Sequence, residues 1–288
     1  MQPIRTDRPA GEALRRLARK TLAALAADLD RAAATGGVHG ARKRLKFMRS
    51  LLRLMKPAIG KASFGKADRH LRAAAHAIAG ARRAEAMREA VAKLRPRNEP
   101  DNPVFAELAR LASSAHGHEA APAALLEAAA EARHNIEKLR GTINDWRLPK
   151  RDVAPFVAGL RQAYAAARRK LRSGLAARDI ARLHAARKSV IHHLHHLETL
   201  APLWPEPIRQ RTQELTRLRT ALGDLNDLEE LERLVVADAG DCQAARGVIA
   251  ARRARLLAQA RRQAQRLFTE KPAAFAGRVA AMWREVAA

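Results

Sequence analysis

The strongest constraint on this chain is how rarely its helix-compatible stretches are interrupted. Gly36-Gly37, Pro57 to Gly65, "RPRNEPDNP" from Arg95, "GTINDWRLPKRD" from Gly141, Gly174, "APLWPEP" from Ala201 and Gly240 stand far apart. Between them run long segments of Ala, Leu and Arg, and β-branched alternation is nearly absent. The pattern predicts an all-α protein. Helices are expected near 12–34, 38–56, 66–94, 104–140 (interruptible around Gly117), 153–174, 180–200, 206–236 and 243–285, eight in all.

An internal repeat organises these helices. His39-x-x-Arg42-Lys43 recurs as His184-x-x-Arg187-Lys188, 145 residues later. About 40 residues after each histidine comes a Gly-opened stretch, "GARRAEAMREAVAKL" from Gly80 and "GDLNDLEELERLV" from Gly223. The order of long helix, basic His helix, third helix and fourth helix thus occurs twice. Each half has the length of a four-helix bundle. The expected division is an N-terminal tail over 1–11, a first half over 12–146 and a second over 152–288. The short link near 141–152 implies that the halves pack together.

Charge narrows the partner. The 288 residues carry a formal net charge of +26, and 48% of them are hydrophobic, enough to bury a core. Such self-repulsion calls for an anionic partner: nucleic acid, an anionic membrane surface or polyphosphate. Aromatics are only 3%, which counts against stacking on bases. The lone Cys242 can form neither an intrachain disulfide nor a zinc set, which fits a reducing cytoplasm. No apolar run approaches a membrane span, and "MQPIRTDRPAGEALRR" has no apolar core of a secretory signal, so a cytoplasmic location is expected.

The charge is also segregated. Arg31 to Ala67, Val153 to Arg178 and Cys242 to Thr269 contain no acidic residue, while acids cluster elsewhere, as in "DLNDLEELE". A solvated face normally mixes signs, because like charges at i,i+4 cost roughly 0.2–0.5 kcal/mol per pair. On a wheel of about 100° per residue, His39, Arg42, Lys43, Lys46, Arg49 and Arg53 share one arc. Leu45, Met48, Leu52 and Met55 lie opposite and should pack inward. In the second half His184, Arg187, Lys188, His192 and His195 share an arc, opposed by Leu183, Val190 and Leu197. Ile191 and Leu194 intrude on that second arc. Two further rows, Arg161, Arg168 and Arg172 with Tyr164 beside them, and Arg255, Arg262 and Arg266, each share a face. Arg offers phosphate a forked donor, Lys a point charge, and His a donor that gains charge as pH falls.

The two copies of the histidine motif resemble those of the conserved-histidine α-helical domain (CHAD) family. The matching pieces are "VHGARKRLKFMRSLLRL", "YAAARRKLRSGLAARDIARLHAARKSVIHHLHHLETL" and "LGDLNDLEEL". The resemblance implies two four-helix bundles related by a pseudo-twofold axis, with basic helices lining a central groove or pore. It also implies binding of inorganic polyphosphate and association with polyphosphate granules, without catalysis and with no cofactor. Carried over, His39, Arg42, Lys43, Lys46 and Arg49 match the first basic motif, and His184, Arg187 and Lys188 the second. Ile191 and Leu194 stand where the family usually has basic residues, and His195 where Tyr is common. Arg83 and Ala84 replace an Arg-Asp pair. No Glu-x-Glu-x-Lys stretch marks a fused tunnel-fold phosphatase, so the chain resembles a stand-alone version.

The sequence offers three rival readings. "HHLHH" places His192 and His196 at i,i+4, a metal-chelating spacing, with Glu198 as a third candidate, but no Cys or His-Glu motif completes a set. Phosphoryl transfer needs carboxylate-held metal or a Gly-rich loop, and neither is found. Ser113-Ser114 near His116 has no third partner. Nucleic-acid binding is the main alternative; charge permits it, but no helix-turn-helix, zinc-finger or RNA-binding signature supports it. The sequence reading is therefore a polyphosphate groove whose affinity rises as pH falls from about 8 to about 6, through the histidines.

Overall fold

The computed structural model describes residues 3–31, 37–79, 83–95, 102–114, 122–238 and 243–287. Among them are ten α-helices, a 3-10 turn at Ala201–Leu203 and no strand. The helices are α1 Ala10–Asp30, α2 Gly37–Ala77, α3 Arg83–Leu94, α4 Pro103–Ser114, α5 Pro122–Ile143, α6 Ala154–Ala177, α7 Ile180–Thr199, α8 Pro205–Ala237, α9 Gln243–Leu267 and α10 Pro272–Ala287. The all-α class is therefore as expected, with more breaks than the eight predicted helices. The expected 104–140 element is α4 and α5. The expected 243–285 element divides at Thr269–Lys271, where Pro272 opens α10. Gly36, Gly80, 96–101, His116, Gly117, Gly240 and Cys242 lie outside the described residues, as do the side chains of Arg83 and Ala84.

α2 is a hairpin of two helical arms. Gly60 at its apex has φ 81° and ψ 167°, backbone that a Cβ would strain. Arg42 Nη1 donates to the carbonyls of Ile78 at 3.3 Å and Ala79 at 2.8 Å. Along a straight helix those partners would be about 54 Å apart, at about 1.5 Å per residue. Asp68 on the second arm reaches Arg49 and Arg53 on the first, both at 3.5 Å. The expected break between Pro57 and Gly65 is thus a reversal at Gly60. It turns the second arm back along the basic stripe.

α6 and α7 form the next hairpin. Arg178 closes α6 in the left-handed region at φ 52°, and the Asp179 side chain caps α7 by accepting from the Arg182 backbone N–H at 2.9 Å. Gly174 lets Leu183 approach: a Cβ there would sit 2.9 Å from a Leu183 methyl.

α1, α2 and α5 pack together, α2 packs on α6 and α7, α7 lies against α6 and α8, and α10 covers α6. α3 and α4 pack on each other, on α8 and on α9, and among the described residues do not approach α1, α2 or α5. Lys93 of α3 pairs with Asp224 of α8 at 2.9 Å. Packing therefore crosses the boundary expected between the halves. One apolar cluster joins all ten helices. Leu45, Met48, Leu52, Met55, Leu183, Val190 and Leu197 all belong to it, as their wheel positions require. The segment before α1 is tied in too: Ile4 is buried and its N–H donates to the Thr199 carbonyl at 3.0 Å.

Candidate anion-binding site

Both basic histidine helices face one cavity. It has a volume of about 700 Å³ and lies between the first arm of α2, α6 and α7. Its wall comprises Lys46, Arg49, Arg53, Lys56 and Phe64 of α2, and Gly159, Gln162, Ala163, Ala166 and Lys170 of α6. His184, Arg187, Lys188, Ser189, Ile191 and His192 of α7 complete it. Seven lysines and arginines line it, and no carboxylate does among the described residues.

Close helix crossing makes the floor. A Cβ on Gly159 would fall 2.2 Å from the Leu54 carbonyl oxygen, so only glycine lets α6 lie this near α2. Ala163 and Ala166 continue the short-side-chain stripe of α6 facing the cavity. The arginines are set from behind. Asp68, 3% exposed, faces Arg49, Arg53 and Arg72, the last at 2.9 Å. Phe64 takes the Lys56 ammonium at 4.9 Å and the Arg53 guanidinium at 5.7 Å from its ring centre. Burial pushes Arg53 below the ordinary arginine value, with Asp68 opposing; a guanidinium remains charged regardless.

The second copy of the motif is braced by the stretch that follows it. Arg187 Nε donates to the Arg219 carbonyl at 3.3 Å. Gly223 leaves the space its guanidinium occupies: a Cβ there would be 3.2 Å from Arg187 Nε. Burial pushes Arg187 down, and Asp227 chiefly opposes this. Asn226 lies beside both His184 and Asp227, opposing the downward push on His184 and the upward push on Asp227. Asp227 itself is pushed up by burial and held back by Arg187. The glycine of "GDLNDLEEL" therefore gives Arg187 room, and the Asn-Asp pair supplies its polar environment.

The CHAD domain family model matches residues 10–236. The chain belongs to the CHAD domain family. The match ends with α8, so α9 and α10 lie beyond it. No curated protein matches the chain.

Seven of the residues expected at the site of this CHAD domain line the cavity: Lys46, Arg49, Arg53, His184, Arg187, Lys188 and His192. Lys43 and His39 are exposed one and two turns up the first arm, outside the cavity wall. Arg42 is turned to the carbonyls that end the second arm. Arg161 and Arg168 line a separate cleft beside α10, and Arg168 and Arg172 one beside α9. Arg255, Arg262 and Arg266 are exposed on α9 and line none of these spaces. His195, expected on the cavity face, is instead 4% exposed, inside the α2–α7 seam. Ile191 lines the cavity while Leu194 is buried, so the polar arc of α7 ends at His192.

Ser50 organises that seam. Its Oγ lies 2.8 Å from Nδ1 of both His192 and His195 and donates to the Lys46 carbonyl at 2.9 Å. His196 Nε2 donates to the Ser50 carbonyl at 2.7 Å. His193 points elsewhere, edge-on to Tyr164 and Phe275 with centroids at 5.2 and 5.3 Å. The "HHLHH" rings are thus divided among separate contacts, and no group of three potential metal ligands occurs among the described residues. Burial holds His192 down to about 2, His195 to about 3 and His196 to about 4, with neighbouring cations adding to the effect. Burial also holds His193 well below its ordinary value. Burial therefore favours the neutral form of these rings, which works against the pH-dependent grip expected of His192 and His195.

Lys56, Phe64, Gln162, Ser189 and Lys170 line the cavity without having been singled out in the sequence. Among the described residues, no helix is long and apolar enough to cross a membrane.

Proposed function

We propose that this CHAD domain binds inorganic polyphosphate in the cavity between α2, α6 and α7 and performs no chemistry on it. One observation carries the reading. Two helices some 145 residues apart in sequence turn their cations onto a single carboxylate-free cavity. Lys46, Arg49, Arg53 and Lys56 grip the polymer from one wall, Arg187 and Lys188 from the other, and Lys170 from the floor. Asp68 and Gly223 hold the arginines in place beforehand, which lowers the entropic cost of binding. His192 contributes a neutral hydrogen-bonding edge, and His184, held below its ordinary value by burial and by Lys188 and Arg187, lines the same cavity. Binding releases counterions and weakens steeply with salt. In a cell, the same contact recruits the protein to polyphosphate granules.

The polymer favoured is one without bases. Phe64, the one Phe, Tyr or Trp among the described lining residues, already carries the Arg53 guanidinium and the Lys56 ammonium against its ring, so the cavity is poor in the free ring surface on which bases stack. Labelled polyphosphate displaced by unlabelled polyphosphate or by DNA, at matched phosphate concentration and fixed salt, tests the reading. Polyphosphate should compete at least tenfold better. Equal competition by DNA would defeat the assignment.

A further inference from the structure

α6 carries a second basic flank that faces away from the central cavity. Gly159, Gln162, Ala163, Ala166 and Lys170 face the cavity. Arg161, Ala165, Arg168 and Arg172 lie roughly 150° around the same helix, at about 100° per residue. Two clefts open there. One, of about 540 Å³, is bounded by Arg161, Gln162, Arg168 and Lys271. The other, of about 530 Å³, is bounded by Arg168, Arg172, Arg261 and Gln265. Arg168 belongs to both, and Gln162 belongs to the first cleft and to the central cavity.

We propose that this flank is a second anchoring site for a phosphate polymer, which leaves the central cavity over Gln162 and rounds α6 to reach Arg168, Arg172 and Arg261. The proposal rests on the polyphosphate reading of the central cavity. Three observations support it. No carboxylate lines either cleft among the described residues. Arg161, Arg168, Arg172, Arg261 and Lys271 make no ion pair with a described carboxylate, unlike the exposed arginines of α8. Two of them are also pre-set on backbone carbonyls: Arg168 Nε donates to Phe268 at 2.8 Å and Arg261 Nη2 to Leu175 at 3.3 Å.

The far walls of the clefts come from α9 and α10, which lie beyond the family match. A helix with its side chains is about 10–12 Å across, so a short polymer filling the cavity cannot reach the flank, whereas a long one engages both. Joining two sites through one ligand raises affinity by about 10²–10⁴ when the geometry allows it.

The test is the triple variant R161Q/R172Q/K271Q, which spares the two arginines bonded to carbonyls. Affinity and its salt dependence are measured for chains of about three and about one hundred phosphates, with a melting curve confirming the fold. The tighter short-chain binding event should be unchanged. Long-chain affinity should fall tenfold or more, and the slope of log K against log salt should lose about two units, at about 0.7 per lost phosphate contact. Long-chain affinity and slope equal to those of the parent would overturn the second anchor and leave the central cavity standing. A parent protein that binds neither length would overturn both.

Discussion

α6 and α8 both pack on α7 and both are rich in arginine, yet they treat that charge in opposite ways. On α8 the exposed arginines are paired within their own helix. Arg209 meets Glu206, Arg217 meets Glu214, and Arg233 meets Glu229 and Glu230, each three or four residues away. α6 has no acidic residue from Val153 to Arg178. Its cations face cavities or solvent. Net charge alone therefore does not mark the site of a basic protein; the site lies where positive charge is left without local compensation. The helix between them, α7, carries the consequence. It turns cations to the cavity and buries neutral histidines against α2.

The largest expected effect follows from those histidines. Four rings, His192, His193, His195 and His196, have folded values depressed by burial, three of them to about 2, 3 and 4. The unfolded chain binds protons at an ordinary histidine value near 6.5. A depressed folded value means that the unfolded state takes up more protons below that point. The contribution is fully present above pH about 6.5 and is lost as pH falls towards the folded values. Each histidine removes about 1.4 kcal/mol per pH unit over that window. Denaturation at pH 7, 6 and 5 should show a steep loss beginning near 6.5, and His193→Phe should make it shallower. Instability that begins only near pH 4 would instead point to the carboxylates of α8.

The second effect tests the contrast in binding. Lys170→Glu with Lys188→Glu places two acids in the cavity wall and should reduce polyphosphate affinity about a hundredfold, in the range found when a buried charge pair is broken. Helical content, read by circular dichroism, should be unchanged. Arg209→Glu with Arg217→Glu makes the same change in net charge on α8 and should reduce affinity less than about threefold, since exposed charges act weakly across salt solution. Equal losses in the two variants would mean that overall charge, and not the cavity, does the binding.

A third effect concerns the backbone beneath the cavity. Gly159→Ala puts a methyl against the Leu54 carbonyl and should cost about 1–3 kcal/mol as α6 is pushed from α2. Gly277→Ala on α10 meets open space and should be neutral or stabilising by up to about 1 kcal/mol. Urea midpoints of the two variants compare these directly. A neutral Gly159→Ala would show that α6 moves away from α2 freely.

How much of this could be read beforehand depends on which residues carried the signal. The inward faces of α2 and α7 were legible, because Leu45, Met48, Leu52, Leu183 and Val190 fall on single apolar arcs. The two basic rows were legible as rows through the repeated motif, while a groove shared between them was only what the family resemblance implied. Long-range events were not. The return of α2 at Gly60 brings Phe64 and Asp68 to the arginines, and nothing local in the sequence says how sharp that turn is. The α3–α4 pair docks on α8 and α9, which no periodicity can encode. On α6 the charged row drew attention to Arg161, Arg168 and Arg172, whereas the cavity face is the small-residue stripe Gly159, Ala163 and Ala166 ending in Lys170. That spacing of small residues was the available sign of close helix approach. His195 was misplaced because a wheel assigns a side without saying how far burial extends across it.

The smallest expected effect is nearly none, and it separates the two roles of α7. For His192 to add charge to the bound state at pH 6, a polyanion would have to raise its value from about 2 by some four units, worth about 5 kcal/mol at about 1.4 kcal/mol each. His195, starting from about 3, sits deeper and hydrogen-bonds Ser50 instead of lining the cavity. The same low dielectric that keeps these rings neutral in the free protein opposes their protonation in the complex. In a His184→Gln background, which removes the other histidine lining the cavity, polyphosphate affinity at fixed salt should therefore change less than about threefold between pH 8 and pH 6, where direct contacts from His192 and His195 would have predicted a clear rise. A tenfold increase over that interval, lost in His192→Gln, would mean that the seam opens when polymer enters. The histidines would then belong to the binding surface and not to the wall behind it.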